Sequence, residues 1–175
     1  MWHCAPAVTF SSPNANARPR PIAHAPPSVG GLTGRAVRHS VADRLSQMTE
    51  ILVVDDSKVM RDMIVACLRA IPDTSFTHAS SGLEAIERLS LAKFDLLVLD
   101  LNMPDIGGVE VLEFVRAQDT LRALPVLIVT TRGDDQSKER VLQAGATGFL
   151  AKPFTPDAIL AEVRAILADR AEHVA

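Results

Sequence analysis

Hydrophobic residues fall along this chain in two alternating arrangements, short runs and longer stretches with helical spacing. The runs lie at 51–54, 76–79, 94–99, 125–130 and 147–151, and the second of them is the weakest. Continuous rather than alternating apolar runs are typical of strands that are covered on both faces. Between the runs, apolar residues recur every three or four positions, which indicates amphipathic helices. The pattern predicts an α/β fold, a three-layer α/β/α sandwich of (βα)5 type with right-handed crossovers.

Residues that favour helix ends stand at the boundaries of these stretches. Ser57 is placed to cap the first helix, and Pro72 follows its end. Ser81–Glu84 has the form of a capping box, Gly145 closes the fourth helix, and Thr155-Pro156 opens the fifth. The apolar positions predicted for the five helices are Val59, Met60, Met63, Ile64, Cys67, Leu68 and Ile71; Leu83, Ile86 and Leu89; Val109, Leu112 and Val115; Val141 and Leu142; and Ile159, Leu160, Val163, Ile166 and Leu167.

Residues 1–47 differ from the rest of the chain. They contain six of the eleven prolines and show neither helical nor strand periodicity, which predicts a disordered Pro/Ala/Arg-rich extension before a domain at 48–175. The segment lacks the apolar core of a secretory signal, although its arginine content superficially resembles that of a transit peptide. Because Met48 leads directly into the first strand, we hypothesise that the native chain starts there.

The charge distribution excludes some classes of function. Residues 1–47 carry a formal charge of +4 and residues 48–175 a charge of −7, so the folded part lacks the positive face that nucleic-acid binding requires. Cys4 and Cys67 support neither a disulfide framework nor a metal cluster, and Cys67 is predicted to lie in the core. No apolar run approaches the roughly 18 residues of a membrane span. We therefore expect no membrane insertion and a cytoplasmic protein.

Polar residues follow four of the predicted strands at the point where each strand ends. Asp55-Asp56 follows the first strand, Asp100 the third and Lys152 the fifth, and Thr130 ends the fourth. Ligands of open parallel sheets bind at this edge, where the residues would meet. Three carboxylates in one crevice repel one another unless a cation joins them. Their hard oxygen atoms suit Mg²⁺, or Mn²⁺ in its place.

These residues and their neighbours resemble the receiver domain of two-component response regulators. The resemblance runs from residue 48 to the end of the chain. It implies a flavodoxin-like fold whose five-stranded parallel sheet has the order 2-1-3-4-5. The motifs that carry it are Asp55-Asp56, Asp100, Asn102-Met103-Pro104, Gly107-Gly108, Thr130, Phe149 and Lys152-Pro153.

The resemblance assigns roles to the acidic residues. It implies that Asp100 is the phosphoacceptor, which forms an aspartyl phosphate. Asp56 and Asp100 would bind Mg²⁺ (or Mn²⁺) directly, together with the backbone carbonyl of Asn102. Asp55 would act on the metal mainly through water.

The remaining motif residues would contact the phosphoryl group or report its presence. Lys152 supplies a positive charge and Thr130 a hydroxyl donor for the phosphoryl oxygens. In the family the Lys152-Pro153 bond is cis, which gives Pro153 a structural role. Phe149 would swing between exposed and buried rotamers as Thr130 moves. Asn102 and Arg132 flank the path of the hydrolytic water, so we expect both to modulate phosphate lifetime.

The function implied is that of a signalling switch. A sensor histidine kinase or a His-phosphotransfer protein would supply the phosphoryl group, and the face formed by helix four, strand five and helix five would respond. Because the chain ends at Ala175, directly after helix five, we expect a stand-alone regulator. It would bind an unknown protein target or relay the phosphoryl group to another histidine protein, as a phosphoacceptor rather than an enzyme.

Three alternatives compete with this interpretation. An interaction module without phosphorylation would have lost a metal-binding or phosphoacceptor acid, and none is missing. A Mg²⁺-dependent phosphohydrolase would need an acid where Asn102 stands. A flavodoxin-type cofactor binder would need a phosphate-cradling loop after the first strand, where Asp55-Asp56 would repel a phosphate.

Overall fold

The computed structural model describes residues 48–131 and 134–174, and in them five parallel strands alternate with five helices. The extension predicted for residues 1–47 and the modulator Arg132 lie outside the described residues. The strands are β1 (Thr49–Val54), β2 (Thr74–Ala79), β3 (Leu96–Leu99), β4 (Val126–Thr130) and β5 (Gly148–Ala151). The helices are α1 (Lys58–Leu68), α2 (Gly82–Leu91), α3 (Gly108–Ala117), α4 (Asp135–Gln143) and α5 (Pro156–Val174).

The strands pair in the order β2-β1-β3-β4-β5, and every pair is parallel. This order confirms the order 2-1-3-4-5 that the resemblance implied. Successive residues of a strand point to opposite faces, so each strand contributes to two cores. One core joins the sheet to α1 and α5, and the other joins it to α2, α3 and α4. Both faces are covered, which explains the continuous apolar runs in the sequence.

The predicted helix caps are present. The Ser57 hydroxyl accepts the Met60 N–H at 3.4 Å, and the Ser81 hydroxyl accepts the Glu84 N–H at 3.2 Å. The return bond of the capping box differs, because the Glu84 carboxylate accepts the N–H of Ser80 at 2.7 Å rather than that of Ser81. The Ser80 amide, together with the Arg88 guanidinium and the Ser80 hydroxyl, lowers the pKa of Glu84 from 4.5 to about 2.

Several predicted core positions were wrong. Val59 and Leu83 are 78% and 57% exposed, because both lie in the first turn of a helix on its solvent side. Met63 and Leu142 are also exposed, at 40% and 39%. The buried residues of α2 are instead Gly82, Ala85 and Leu89, of which only Leu89 was predicted. Cys67 is half-buried at the margin of the core rather than inside it, and Ile71 packs against the same core beyond the end of α1 at Leu68.

Three strands begin later than predicted, at Leu96, Val126 and Gly148. Pro125 has no N–H for the ladder, so β4 cannot include it as a donor. Asp95 uses its carboxylate outside the ladder, where it accepts the Glu50 N–H at 2.8 Å. All three strands nevertheless end at the predicted residue, so the polar residues at their ends keep their predicted positions.

The helix α4 differs from the others in how little of it is buried. Its nine residues contain one buried side chain, Val141, and most of the others are polar and exposed. By contrast, α1 buries Ile64, Val65 and Leu68. Gly145, with φ of +98°, ends this region in the left-handed conformation that favours glycine, as predicted.

Candidate functional site

The strand register places the predicted acids at one edge of the sheet. Val54 of β1 lies opposite Leu99 of β3, so the residues that follow them, Asp55 and Asp100, leave the sheet side by side. The Asp100 N–H donates to the Val54 carbonyl at 2.9 Å and continues the ladder by one step. Asp100 is therefore held by backbone bonds of a buried strand pair, which fixes where its carboxylate lies.

The loop between β1 and α1 presents one buried and one exposed acid. Asp55 is 1% exposed, whereas Asp56 is exposed at the mouth of the crevice. The Asp55 carboxylate accepts the Ser57 N–H at 2.9 Å, which fixes its orientation. The guanidinium of Arg61 donates to the backbone carbonyl of Asp55 at 2.5 Å. Arg61 was not predicted from the sequence, although it is a cation that closely follows Asp55-Asp56.

Lys152 lies between the two buried acids. Its Nζ is 2.6 Å from a carboxylate oxygen of Asp55 and 2.8 Å from one of Asp100, and its side chain is 7% exposed. Burial alone would lower the pKa of Lys152, but the hydrogen bonds to Asp100 and Asp55 outweigh it, so the pKa is raised. The Lys152-Pro153 bond is cis, as the resemblance implied. One buried ammonium therefore balances part of the negative charge of the cluster.

Asn102 links the loop after β3 to the end of β4. Its backbone N–H donates to the Asp100 carboxylate at 3.1 Å. Its side-chain amide donates to the hydroxyl of Thr130 at 3.1 Å and to that of Thr131 at 2.8 Å. Thr130 is fully buried, and Thr131 is exposed. Thr131 was not predicted, because a hydroxyl next to a motif residue gives no pattern of its own.

The donor set fits a hard divalent cation. Carboxylate oxygens of Asp55, Asp56 and Asp100 all lie within 4.8 Å of one another. Mg²⁺ favours a few carboxylates together with retained water, and this set supplies the carboxylates at a crevice that is open on the Asp56 side. The residues present therefore fit the predicted metal.

Phe149 lies in β5 and packs, half-buried, against the core that contains α3 and α4. It is opposite Ile128 in the register, two positions before Thr130. The Lys152 N–H donates to the Thr130 carbonyl at 2.8 Å, so the ends of β4 and β5 are joined directly. Thr130 and Phe149 therefore lie on neighbouring strands and Lys152 directly follows the second of them, as predicted.

Gly108 determines how closely α3 approaches Asp100. A Cβ atom at Gly108 would lie 2.2 Å from the Asp100 carbonyl oxygen, and backbone cannot yield easily. We expect Gly108→Ala to lower the free energy of unfolding by about 1–3 kcal/mol, as overpacking does. Without this clash, alanine in place of the first residue of α3 would stabilise the helix by at most about 1 kcal/mol, so the sign of the change is informative. Urea unfolding monitored by circular dichroism measures it.

The neighbouring glycine supplies the control. A Cβ atom at Gly107 would meet the end of the Glu110 side chain at 2.9 Å, which can rotate away. Gly107 is the N-cap residue of α3, where alanine is less favourable than glycine, so we expect Gly107→Ala to lower the free energy of unfolding by less than about 1 kcal/mol. Equal effects of the two substitutions would contradict the steric argument for Gly108.

The fold and site together define a receiver domain with an acidic crevice, and comparison with known proteins agrees. Residues 51–164 match the family described as response regulator receiver domain. The chain belongs to this family. It is 38% identical over 117 residues to the chemotaxis protein CheY of Pseudomonas aeruginosa, covering 67% of this chain and 94% of that protein. It is 33% identical over 119 residues to chemotaxis protein CheY1 of Helicobacter pylori, covering 67% of this chain and 96% of that protein.

Solved structures give the same result. The structure of chemotaxis response regulator CheY4 of Vibrio cholerae matches with a TM-score of 0.63 at 34% identity, over 68% of this chain and 98% of that one. The chain is thus a CheY-type receiver of two-component signalling. Members of this family bind Mg²⁺ at an acidic pocket and interact with histidine kinases and downstream targets. Among the described residues, no helix combines the length and apolar character needed to cross a membrane.

Proposed function

We propose that this protein is a phosphoacceptor whose Asp100 receives a phosphoryl group from the phosphohistidine of a sensor kinase or a His-phosphotransfer protein. A carboxylate oxygen of Asp100 attacks phosphorus, the P–N bond breaks, and the histidine leaves as an aspartyl phosphate forms. The observation that carries the proposal is the contact of buried Asp100 with Lys152 beside Asp55 and Asp56. A nucleophile, a cation and metal ligands meet there at one sheet edge.

Each site residue has a part in this reaction. The carboxylates of Asp55, Asp56 and Asp100, with the Asn102 carbonyl, would hold Mg²⁺ (or Mn²⁺). The ion, when bound, neutralises charge on phosphoryl oxygens. Lys152 already contacts the Asp100 oxygen at 2.8 Å, so its ammonium can turn to a phosphoryl oxygen with little displacement.

The proposed output is a docking event at the face formed by α4, β5 and α5. Thr130 would donate its hydroxyl to the phosphoryl group, and Phe149 would follow it. The backbone bond between Lys152 and Thr130 supports this coupling, because movement at either strand end is felt by the other. The names of the relatives support a target in chemotaxis. Asn102 and Arg132 would set the lifetime of the phosphate.

The state of residue 102 argues against a phosphohydrolase. Such an enzyme needs a carboxylic acid there to protonate the leaving group, and an amide cannot do this. The Asn102 amide is also occupied as a donor to Thr130 and Thr131. A single transfer to Asp100, rather than repeated turnover, is the chemistry that this arrangement supports.

Phosphorylation by a small acyl phosphate tests the proposal. The full chain is incubated with acetyl phosphate and Mg²⁺, and its intact mass is measured at intervals. We expect a gain of one phosphoryl group that EDTA prevents and hydroxylamine removes, since acyl phosphates are cleaved by that nucleophile. No mass gain with Mg²⁺, or a gain that resists hydroxylamine, would reject an aspartyl phosphate.

A further inference from the structure

Arg61 occupies an unusual place for a cation. It lies in the first turn of α1, where the positive end of the helix dipole disfavours positive charge. No acidic residue stands in that turn. Arg61 is half-buried, and its Nε, which is fully buried, finds no hydrogen-bond partner among the residues that the structure describes. Both features cost free energy locally, so the position of Arg61 calls for a compensating role.

The contacts of its guanidinium identify that role. Nη1 of Arg61 donates to the backbone carbonyl of Asp55 at 2.5 Å and lies 3.3 Å from that of Asp56. These carbonyls belong to the two peptide units that follow β1. A change in the direction of either carbonyl rotates its peptide unit, and the carboxylates attached to that backbone move with it. One side chain therefore controls the backbone of both acids.

Lys58 shows that charge alone does not explain the arrangement. It lies in the same turn of α1 and carries the same charge, but its side chain is 77% exposed and pairs with Asp62 at 2.6 Å on the helix surface. Among the described residues, the Lys58 side chain forms no hydrogen bond or ion pair with the acids of the crevice. Arg61 differs from it in being turned inward onto the backbone of the Asp55-Asp56 loop.

We propose that Arg61 is a positioning residue of the metal site, which holds the Asp55-Asp56 loop so that both carboxylates face Asp100. The inference rests on the proposed function, because it concerns the same Mg²⁺ site. Arg61 binds backbone carbonyls rather than carboxylates, so it leaves the metal-binding oxygens available. Substitution of a residue that orients metal ligands typically changes the metal affinity, even though the residue itself does not contact the metal.

The two possible effects of Arg61 on the metal have opposite signs. As a nearby positive charge, it repels a divalent cation, so its removal would tighten binding. As the support of two ligands, it favours binding, so its removal would weaken it. The sign of the change in affinity therefore separates positioning from simple electrostatics. A residue that only stabilised the fold would leave the affinity of the folded protein unchanged.

The experiment measures divalent-ion affinity with no phosphoryl donor present. Free Mn²⁺ is followed by electron paramagnetic resonance in titrations of the full chain, and Mg²⁺ competition gives the second affinity. Arg61→Met removes charge and contacts together, and Lys58→Met removes an equal charge from the same turn. We expect Arg61→Met to weaken both affinities about tenfold, in the range seen when a supporting residue is lost. We expect Lys58→Met to leave them unchanged or slightly tighter.

A second variant covers the case in which Arg61→Met does not fold, as judged by circular dichroism. Arg61→Lys keeps the charge but replaces the planar guanidinium by a compact ammonium on a shorter side chain. We expect this variant to bind both ions more weakly than wild type, but with a smaller loss of affinity than Arg61→Met. Affinity equal to or tighter than wild type in the folded variant overturns the inference alone. Failure of the wild-type chain to bind Mn²⁺ or Mg²⁺ instead overturns the proposed metal site, and the inference with it.

Discussion

Asp100→Asn is expected to lower the rate of phosphorylation by acetyl phosphate by about 10³-fold or more, since loss of a nucleophile has effects of this size or larger. The amide has nearly the shape of the carboxylate, so the fold should persist. The amide lacks the negatively charged oxygen that attacks phosphorus. Intact mass after incubation with Mg²⁺ gives the measurement, and circular dichroism verifies folding.

Asp105 provides a matched control for this substitution. It is an exposed acid in the same loop, with φ of 65°, a conformation that asparagine tolerates well. Asp105→Asn should accept the phosphoryl group at the wild-type rate. If Asp100→Asn is labelled as quickly as Asp105→Asn, the phosphoacceptor is another residue, and peptide mapping of the hydroxylamine-sensitive site would identify it.

Lys152→Met is expected to destabilise the metal-free protein by about 3–5 kcal/mol, the usual effect of removing one partner from a buried ion pair. The substitution leaves Asp55 and Asp100, which are 1% and 5% exposed, without their shared cation. Mg²⁺ should restore part of the loss, because binding to the native state stabilises it and the ion supplies the missing positive charge. Urea unfolding with EDTA or with Mg²⁺ measures both effects.

The raised pKa of Lys152 also predicts how the stability difference between wild type and Lys152→Met depends on pH. The pKa of Lys152 is raised above its ordinary value of 10.5. The stability that the Lys152 ammonium contributes is therefore fully present below pH 10.5, and it is lost as the pH rises through the raised pKa. The difference between wild type and Lys152→Met should therefore stay constant from pH 7 upward until that range. Lys93→Met, at an exposed position, should change stability by less than about 0.5 kcal/mol. Equal unfolding midpoints for the two variants would contradict the buried contact.

The strands and their order were the most predictable part of the fold. A continuous apolar run indicates a strand that is buried on both faces. A glycine such as Gly145 indicates a turn with a left-handed backbone conformation. The errors lie on the helices, where four residues continue the apolar pattern but are exposed: Val59, Met63, Leu83 and Leu142. Periodicity gives the direction of a side chain around its helix, but it does not give the distance of that side chain from the core.

The site was predictable where its residues sit at strand ends. Parallel strands end at a common edge, so Asp55, Asp100 and Lys152 could be brought together before any distance was known. The side-chain amide of Asn102 and the guanidinium of Arg61 could not be placed in this way. Both act across loops on hydroxyl or carbonyl groups, and these contacts depend on loop conformations that no spacing rule specifies.

The small buried surface of α4 has a thermodynamic consequence. Full burial of one branched aliphatic side chain contributes about 1.5–3 kcal/mol, and Val141 is the single buried side chain among the nine residues of this helix. Coupling free energies between distant sites are typically about 1–3 kcal/mol. The proposed phosphorylation of Asp100 would therefore match the burial energy that holds α4 to the sheet, whereas α1, with three buried side chains, lies beyond that range.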